Sequence, residues 1–202
     1  IHTFGAAGTG GFSNYNASVG HFANPAVHWV IGIFMALFGV NFSIYYYLLR
    51  RNWKGVRGNS ELKVYIGILL GASLIIALNI LPLYGNRFGE SLRYSFFQVS
   101  SVMTTTGYGT ADFDLWPQLS RTLLVTLMVI GASAGSTGGG IKVDRLIILV
   151  KASVRDMRKM LHPNAVASVR FEGKTLPERN IQGVHTFIAV YLIIFVDRKS
   201  VV

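Results

Sequence analysis

Two long apolar stretches without formal charge constrain the fold of this chain more than any other feature. Ala26 to Leu49 and Val64 to Tyr84 are each long enough to cross a hydrocarbon layer of about 30 Å as a helix. Composition agrees, because 51% of the residues are hydrophobic and only 14% are charged, with a mean hydropathy of +0.44. Soluble domains carry roughly 25% charged residues. The sequence therefore predicts an all-α protein in contact with membrane lipid.

The positive charges of the chain fall in the gaps between its apolar runs. Lys and Arg account for the net charge of +10, and they concentrate between Arg50 and Lys63 and between Lys151 and Arg179. This distribution is typical of cytoplasmic loops. A nucleic-acid surface would instead interleave cations with exposed aromatic residues on one face. We therefore predict a multi-pass membrane protein that binds no nucleic acid.

A Thr- and Gly-rich segment, Thr104 to Thr110, follows an amphipathic stretch from Arg87 to Met103 that is too polar to span. A Thr-x-Gly-Tyr-Gly turn can point its backbone carbonyls inward, where they replace the hydration shell of a potassium ion. Its glycines permit backbone conformations that a Cβ atom hinders. We predict a re-entrant pore helix leading into a selectivity filter. The alternatives at this point are a surface helix and a Gly-rich turn without special chemistry.

The beginning of the chain repeats this pattern. Thr9 to Ser13 (TGGFS) aligns with Thr105 to Gly109 (TTGYG), and each segment is followed by a short polar linker and then by an apolar run. Two such loops with matching surroundings are much less expected by chance than one. The repeat predicts helix–pore loop–helix units arranged around one pore.

A third apolar run, Leu115 to Ala132, is predicted to span, with Trp116 as an interfacial anchor. It is followed by a Gly-rich break from Gly131 to Gly140, after which a helix is predicted to resume at Ile141. Breaks at membrane depth are tolerated where the backbone faces protein or a water-filled cavity, and they mark transport routes. The break lacks the Gly-Lys-Ser/Thr of a phosphate-binding loop. No Ser, His and Asp constellation is evident either, so we predict neither an enzyme nor a cofactor.

The run SSVMTTTGYGTADFDLWP, followed by GASAGSTGGGIKVDR, resembles the Trk/Ktr/HKT superfamily of potassium transporters. It is most similar to the potassium-translocating membrane subunits of bacterial Trk systems, and GTGGFSNYNAS is similar to their second filter loop. Such chains carry four pore repeats. The chain begins without an initiator Met, so we expect part of a longer protein that cannot close a pore alone, and the status of the terminal DRKSVV stays open.

The resemblance implies a division of the chain into parts of successive repeats. Residues 1–49 would be the second half of one pore repeat, and residues 50–63 would be a cytoplasmic basic loop. A complete repeat would occupy residues 64–160. Residues 161–183 would form a cytoplasmic linker, and residues 184–202, with the short apolar run Val184 to Val196, would start the next repeat.

The resemblance also implies which residues carry function. The filter residues would be Thr9, Gly10, Gly11, Phe12, Thr105, Thr106, Gly107, Tyr108 and Gly109. Potassium, as transported substrate, would bind the backbone carbonyls of Gly10, Gly11, Thr106 and Gly107. An intramembrane gate would consist of Gly131, Gly135, Ser136, Thr137, Gly138, Gly139 and Gly140.

The implied function is potassium uptake across the bacterial inner membrane. The expected partners are a second copy of the protein, forming a homodimer, and a cytoplasmic nucleotide-binding regulatory subunit. Alternatives are a potassium channel subunit assembled from separate chains, a sodium/potassium symporter of the same superfamily and a purely structural membrane protein.

Overall fold

The computed structural model describes residues 1–162 and 168–199, with side chains up to residue 195. The terminal segment DRKSVV therefore lies partly outside the described residues. The α-helices in chain order are α1 (His2–Ala7), α2 (Pro25–Phe38), α3 (Phe42–Leu49), α4 (Trp53–Gly58), α5 (Ser60–Ile80), α6 (Phe88–Met103), α7 (Gln118–Ile130), α8 (Val143–Leu161) and α9 (Glu178–Lys199). Short 3-10 helices cover Ser18–His21, Leu81–Tyr84 and Phe113–Leu115. Strands β1 (Arg170–Phe171) and β2 (Lys174–Thr175) form an antiparallel hairpin between α8 and α9.

Asparagine side chains set the beginnings of several helices. Asn24, Asn41 and Asn59 each accept a backbone hydrogen bond from the first turn of the helix that follows, which satisfies a donor that the helix itself leaves unpaired. Pro25 also occupies the first turn of α2, where its missing N–H costs nothing. These local signals position the helix starts that surround the site.

The pore helix predicted from the amphipathic stretch is present as α6. It packs against α5 and α7 of its own repeat and against α2 of the preceding one. One apolar cluster joins α5, α6 and α7, and a second joins α1, α2 and α6 through Ala6, Met35 and Phe97. At about 1.5 Å per residue, the 16 residues of α6 extend roughly 24 Å, less than the hydrocarbon thickness. Its last residue, Met103, is fully buried, so the helix ends inside the protein, where the Thr- and Gly-rich segment begins.

The prediction of a single continuous span from Ala26 to Leu49 is wrong. The stretch forms two helices, α2 and α3, that are bent by 92° at the break 39–41. The Asn41 side chain accepts a hydrogen bond from Ser43 N at 2.9 Å and thereby starts a new helix in a new direction. Within the described residues, Ser60–Tyr84 is one helical segment long and apolar enough to span, and the bent pair meets the same criterion taken together.

The third apolar run also differs from its prediction. Helix α7 begins at Gln118 and has 13 residues, which is shorter than a span needs, and α8 begins at Val143 rather than Ile141. Trp116 is only 4% exposed and belongs to the apolar cluster, so it is not an interfacial anchor. The last apolar run is longer as a helix than its sequence indicated, because α9 begins at Glu178.

Candidate functional site

In the segment after α6, residues with positive and negative φ angles alternate. Thr105 and Gly107 have positive φ angles of 56° and 86°, and Thr106 between them does not. The turn is held by backbone hydrogen bonds from Thr105 N to Val102 O at 3.0 Å and from Thr106 N to Ser101 O at 2.9 Å. A threonine at positive φ is uncommon, so the surrounding contacts must hold it there.

The segment after α1 repeats this conformation residue by residue. Thr9 and Gly11 have φ angles of 48° and 64°, and Gly10 N bonds Gly5 O at 2.9 Å, as Thr106 N bonds Ser101 O. Even the threonine hydroxyls agree, since Thr9 and Thr105 each donate to the carbonyl of the preceding residue, at 2.8 and 2.7 Å. The repeat predicted from five aligned residues is therefore present in the backbone.

The two loops lie against each other. A Cβ atom added at Gly11 would collide with the carbonyl oxygen of Thr106, so only glycine allows this approach. Tyr108 Oη donates to Phe12 O at 3.1 Å, and Gly20 N donates to Gly109 O at 3.1 Å. These contacts place residues 9–12 and 105–109 side by side as neighbouring parts of one structure.

The aromatic residues of the two loops have opposite environments. Tyr108 is 1% exposed and packs in the cluster of α1, α2 and α6, whereas Phe12 is 79% exposed. Tyr108 thus fills a recess of the preceding repeat. Phe12, at the equivalent position, has no comparable recess within the described part of the chain.

Six backbone carbonyls in these loops accept no hydrogen bond from the described residues. They belong to Thr9, Gly10 and Gly11 in the first loop and to Thr105, Thr106 and Gly107 in the second. Thr106 is buried, whereas Gly10 and Gly107 are exposed in this chain. Carbonyl oxygens without a donor in the protein are available for water or a cation. They include the four carbonyls to which potassium is predicted to bind, those of Gly10, Gly11, Thr106 and Gly107, and this role as ion ligands stays a prediction.

The Gly-rich segment 131–142 lies at the threonine ends of both loops. Gly139 N donates to Thr105 Oγ1 at 2.7 Å, and Thr9 Oγ1 donates to Thr137 O at 3.1 Å. A Cβ at Gly138 would be 3.0 Å from Thr104 O, so the two backbones are in close contact. The segment thus touches both loops at their threonine ends.

The ends of this segment close on each other. Gly131 and Gly140 have φ angles of 74° and 84°, and a Cβ on Gly140 would lie 2.6 Å from the Cα of Gly131. Within the loop, Ser136 Oγ donates to Ser133 O at 2.6 Å, and the Lys142 ammonium donates to Gly138 O. The segment is therefore a folded loop and not an extended linker.

A buried carboxylate that sequence reasoning missed binds the first half of the loop. Glu61, in the first turn of α5, is 2% exposed. Its Oε1 accepts from Ala134 N at 2.5 Å and its Oε2 accepts from Asn41 Nδ2 at 3.2 Å. An acidic residue in a first turn is usually explained by the helix dipole, so the sequence offered no signal of this contact.

Comparison with known proteins agrees with these features. The family described as a cation transport protein, TrkH, matches residues 86–202, more than half of the chain. The Trk system potassium uptake protein TrkH of Salmonella typhimurium is 35% identical over 199 residues, which are 96% of this chain and 41% of that protein. The TrkG potassium uptake protein of Escherichia coli is 32% identical, over 94% of this chain and 39% of its own length.

The fold has a counterpart of known structure. The crystal structure of the potassium transporter TrkH from Vibrio parahaemolyticus matches with a TM-score of 0.87 and 30% identity, covering 96% of this chain and 42% of that chain. This chain therefore spans about two-fifths of the length of the relatives it matches. The predicted family resemblance and all-α membrane fold are confirmed, and the chain belongs to the TrkH family of cation transport proteins.

Proposed function

We propose that the full-length protein takes up potassium ions across the bacterial inner membrane through a filter to which this chain contributes two of its loops. The observation that carries the proposal is the set of unpaired carbonyls that includes Gly10, Gly11, Thr106 and Gly107, in two loops with positive φ angles at matching positions. Carbonyl oxygens can replace the hydration shell of a monovalent cation. The names of the relatives, all potassium uptake proteins, support potassium as the ion.

The loop 131–142 acts as the gate in this proposal. It contacts Thr105 and Thr9 at the same ends of the two filter loops, so an ion leaving the filter on that side meets it. Each of the two threonines is joined to the loop by one hydrogen bond, so the loop can leave the threonines without unfolding a helix. Its displacement would open the route toward the cytoplasm.

Partner binding forms the third part of the proposal. The relatives belong by name to a Trk system, which supports a multi-component assembly. We expect a homodimer and a cytoplasmic nucleotide-binding regulatory subunit, docked on the basic regions 50–63 and 151–179. Neutralising exposed arginines such as Arg50 and Arg158 should then weaken the salt-sensitive binding of the regulator without lowering basal flux.

The gate is tested by shortening its loop in the full-length protein. Removal of Ser136 and Thr137 deletes the part that reaches Thr9 and leaves the Gly131–Gly140 closure in place. Rubidium flux into proteoliposomes should rise, or should lose its response to the regulator. Unchanged flux together with unchanged regulation would reject the gate.

A further inference from the structure

The hairpin of β1 and β2 is joined to the start of α5 by a side-chain hydrogen bond. Glu172 Oε1 accepts from Asn59 Nδ2 at 2.5 Å. The other end of the same Asn59 side chain accepts from Leu62 N at 2.6 Å, so Asn59 caps α5 and holds the hairpin at once. The bond thus links the cytoplasmic side of the chain to the turn of α5 that carries Glu61.

The geometry of the hairpin tip supports a specific role for this bond. Phe171 pairs with Lys174, which leaves Glu172 and Gly173 as a two-residue turn with φ angles of 49° and 78°. Such turns favour Asn or Asp before Gly, and a longer side chain at positive φ is sparsely populated. Glu172 stands in this strained position and reaches Asn59 from it.

The rest of the hairpin is fixed to α8, the helix that leaves the gate loop. Val169 and Phe171 pack with Ile148 and Ala152 of α8, and Lys151 Nζ donates to Arg170 O at 2.9 Å. The hairpin therefore moves with α8. Its bond to Asn59 then adds a second link between α8 and α5, which also pack against each other at the start of α8.

Helix α9 adds a second support to this platform. Arg155 of α8 forms two hydrogen bonds to the Glu178 carboxylate, at 2.7 and 3.0 Å. Hydrogen bonding to Arg155 lowers the pKa of Glu178 below its usual value, so the pair is ionised at neutral pH. The hairpin, α8 and the start of α9 are thus held together.

The gate loop is held from both sides by these elements. Its first half is bound by Glu61 through Ala134 N, and its second half continues into α8 at Val143. Glu61 also binds Asn41, where the preceding repeat is broken, and Phe42 N donates to Gly135 O at 3.1 Å. A displacement of α8 relative to α5 must therefore deform the loop, because its two halves are anchored to different helices.

We propose that Glu172 and Glu61 are positioning residues for the gate loop. In this proposal the hairpin 170–175 is the lever: a partner that binds the cytoplasmic face and displaces the hairpin also displaces the gate loop. The proposal rests on the gate role proposed above. With the Glu172–Asn59 bond made, α8 and α5 are locked and the loop stays against Thr105. With the bond broken, α8 can shift and the loop is released. A coupling of this kind needs a contiguous set of contacts between two sites, which these bonds provide.

The test uses a cysteine reporter in the loop, because the chain contains no native cysteine. Ser133→Cys, at a loop position that is 1% exposed, is introduced into full-length protein otherwise free of cysteine, and its rate of modification by a water-soluble thiol reagent is measured in proteoliposomes. Glu172→Ala removes the hairpin bond, and Glu61→Gln weakens the loop anchor. We expect each to raise the modification rate roughly fivefold or more, the effect of losing one hydrogen bond.

Two control variants distinguish the loss of the Glu172–Asn59 bond from a general loosening of the protein. Glu172→Gln keeps an acceptor for Asn59 Nδ2, and Lys174→Ala changes an exposed hairpin residue that pairs with Phe171 only through its backbone. Both should retain the rate of the parent protein. A parent-like rate in Glu172→Ala, or an equal rise in Lys174→Ala, would overturn the proposal.

The readout is also independent of ion transport. Thiol modification reports the position of the loop whether or not the protein conducts. Rubidium flux is measured on the same preparations. If the modification rate rises in the variants but no protein, including the parent, conducts rubidium, the proposed function is contradicted and the lever is not. If flux is normal but the modification rate does not change in the variants, only the lever is contradicted.

Discussion

The two filter loops have the same backbone and opposite surroundings. Residues 9–12 and 105–108 share the positive φ angles, the hydrogen bond to the preceding helix and the threonine hydroxyl contact. Tyr108 nevertheless inserts into the neighbouring repeat, whereas Phe12 is exposed. The comparison teaches that loop conformation is set within each repeat by its own short segment. The side-by-side arrangement of the loops also depends on Tyr108, which reaches into the preceding repeat.

The helices that follow the two loops show a related difference. Helices α2 and α7 have 14 and 13 residues, and each ends at a break. The break after α2 covers residues 39–41, whereas the break after α7 covers 131–142. Both repeats therefore have a break after the helix that follows the loop. The break after α7 is longer, and its additional residues form the loop that contacts Thr105 and Thr9.

The largest expected effect comes from the central glycines. Gly11→Val and Gly107→Val place a β-branched residue at φ angles of 64° and 86°, and at Gly11 the new Cβ also meets Thr106 O. Each should abolish growth rescue of a potassium-uptake-deficient strain on low potassium. Gly89→Val, at an exposed glycine of α6 with open space around it, is the control. Rescue by either filter variant would break the equivalence of the two loops.

A double-mutant cycle tests the contact that distinguishes the two aromatic residues. A Cβ at Gly5 would collide with Tyr108 Oη, so Gly5→Ala should destabilise the protein by about 1–3 kcal/mol. Tyr108→Phe loses the bond to Phe12 O, at a cost of about 1 kcal/mol. Because Tyr108→Phe also removes the colliding atom, the double variant should be more stable than the two losses predict. Thermal unfolding of the full-length protein measures this, and simple additivity would show that Tyr108 does not occupy the recess.

A smaller effect is expected from the threonines that contact the gate loop. Thr105→Val keeps the branched shape but removes the acceptor for Gly139 N, so the loop should be released more often and flux should rise roughly fivefold. Thr105→Ser retains the hydroxyl and should behave as the parent. Thr9→Val removes a longer bond, at 3.1 Å, and should have a weaker effect. A larger rise in flux in Thr9→Val than in Thr105→Val would show that Thr9, and not Thr105, makes the main contact with the gate loop.

The smallest effect separates two adjacent buried serines of α6. Ser101 Oγ donates to Tyr108 O at 2.6 Å, a bond that Gly5 cannot make at the equivalent position of the first repeat. Ser100 Oγ is buried without a partner among the described residues. Ser101→Ala should lower the free energy of unfolding by about 1 kcal/mol, and Ser100→Ala should be near neutral or stabilising. Equal losses in thermal unfolding would show that the Ser101 bond does not support the second loop.

The sequence predicted the features that depend on short segments. TGGFS and TTGYG carry their own conformation in the spacing of Thr and Gly, and α6 has the length and polarity of a helix that cannot span. The bend between α2 and α3 was missed, because Asn41 within an apolar run looks like one polar residue in a span and acts instead as a helix cap.

Features that depend on distant contacts were not predictable in this way. Glu61 binds Ala134, far along the chain, and Trp116 is buried because α7 packs back on α5 and α6. Glu172 likewise bonds Asn59 from a hairpin more than a hundred residues later. No periodicity or motif marks such pairs, since each is fixed only when separate helices come together.

The central claim is that the carbonyls of Gly10, Gly11, Thr106 and Gly107 line one ion path. The most direct measurement is the anomalous scattering of rubidium in crystals of the full-length protein grown in rubidium instead of potassium. The account predicts an anomalous peak between the two loops, within coordination distance of these oxygens, that disappears in Gly11→Val. Rubidium bound elsewhere, with no peak between the loops, would contradict the claim.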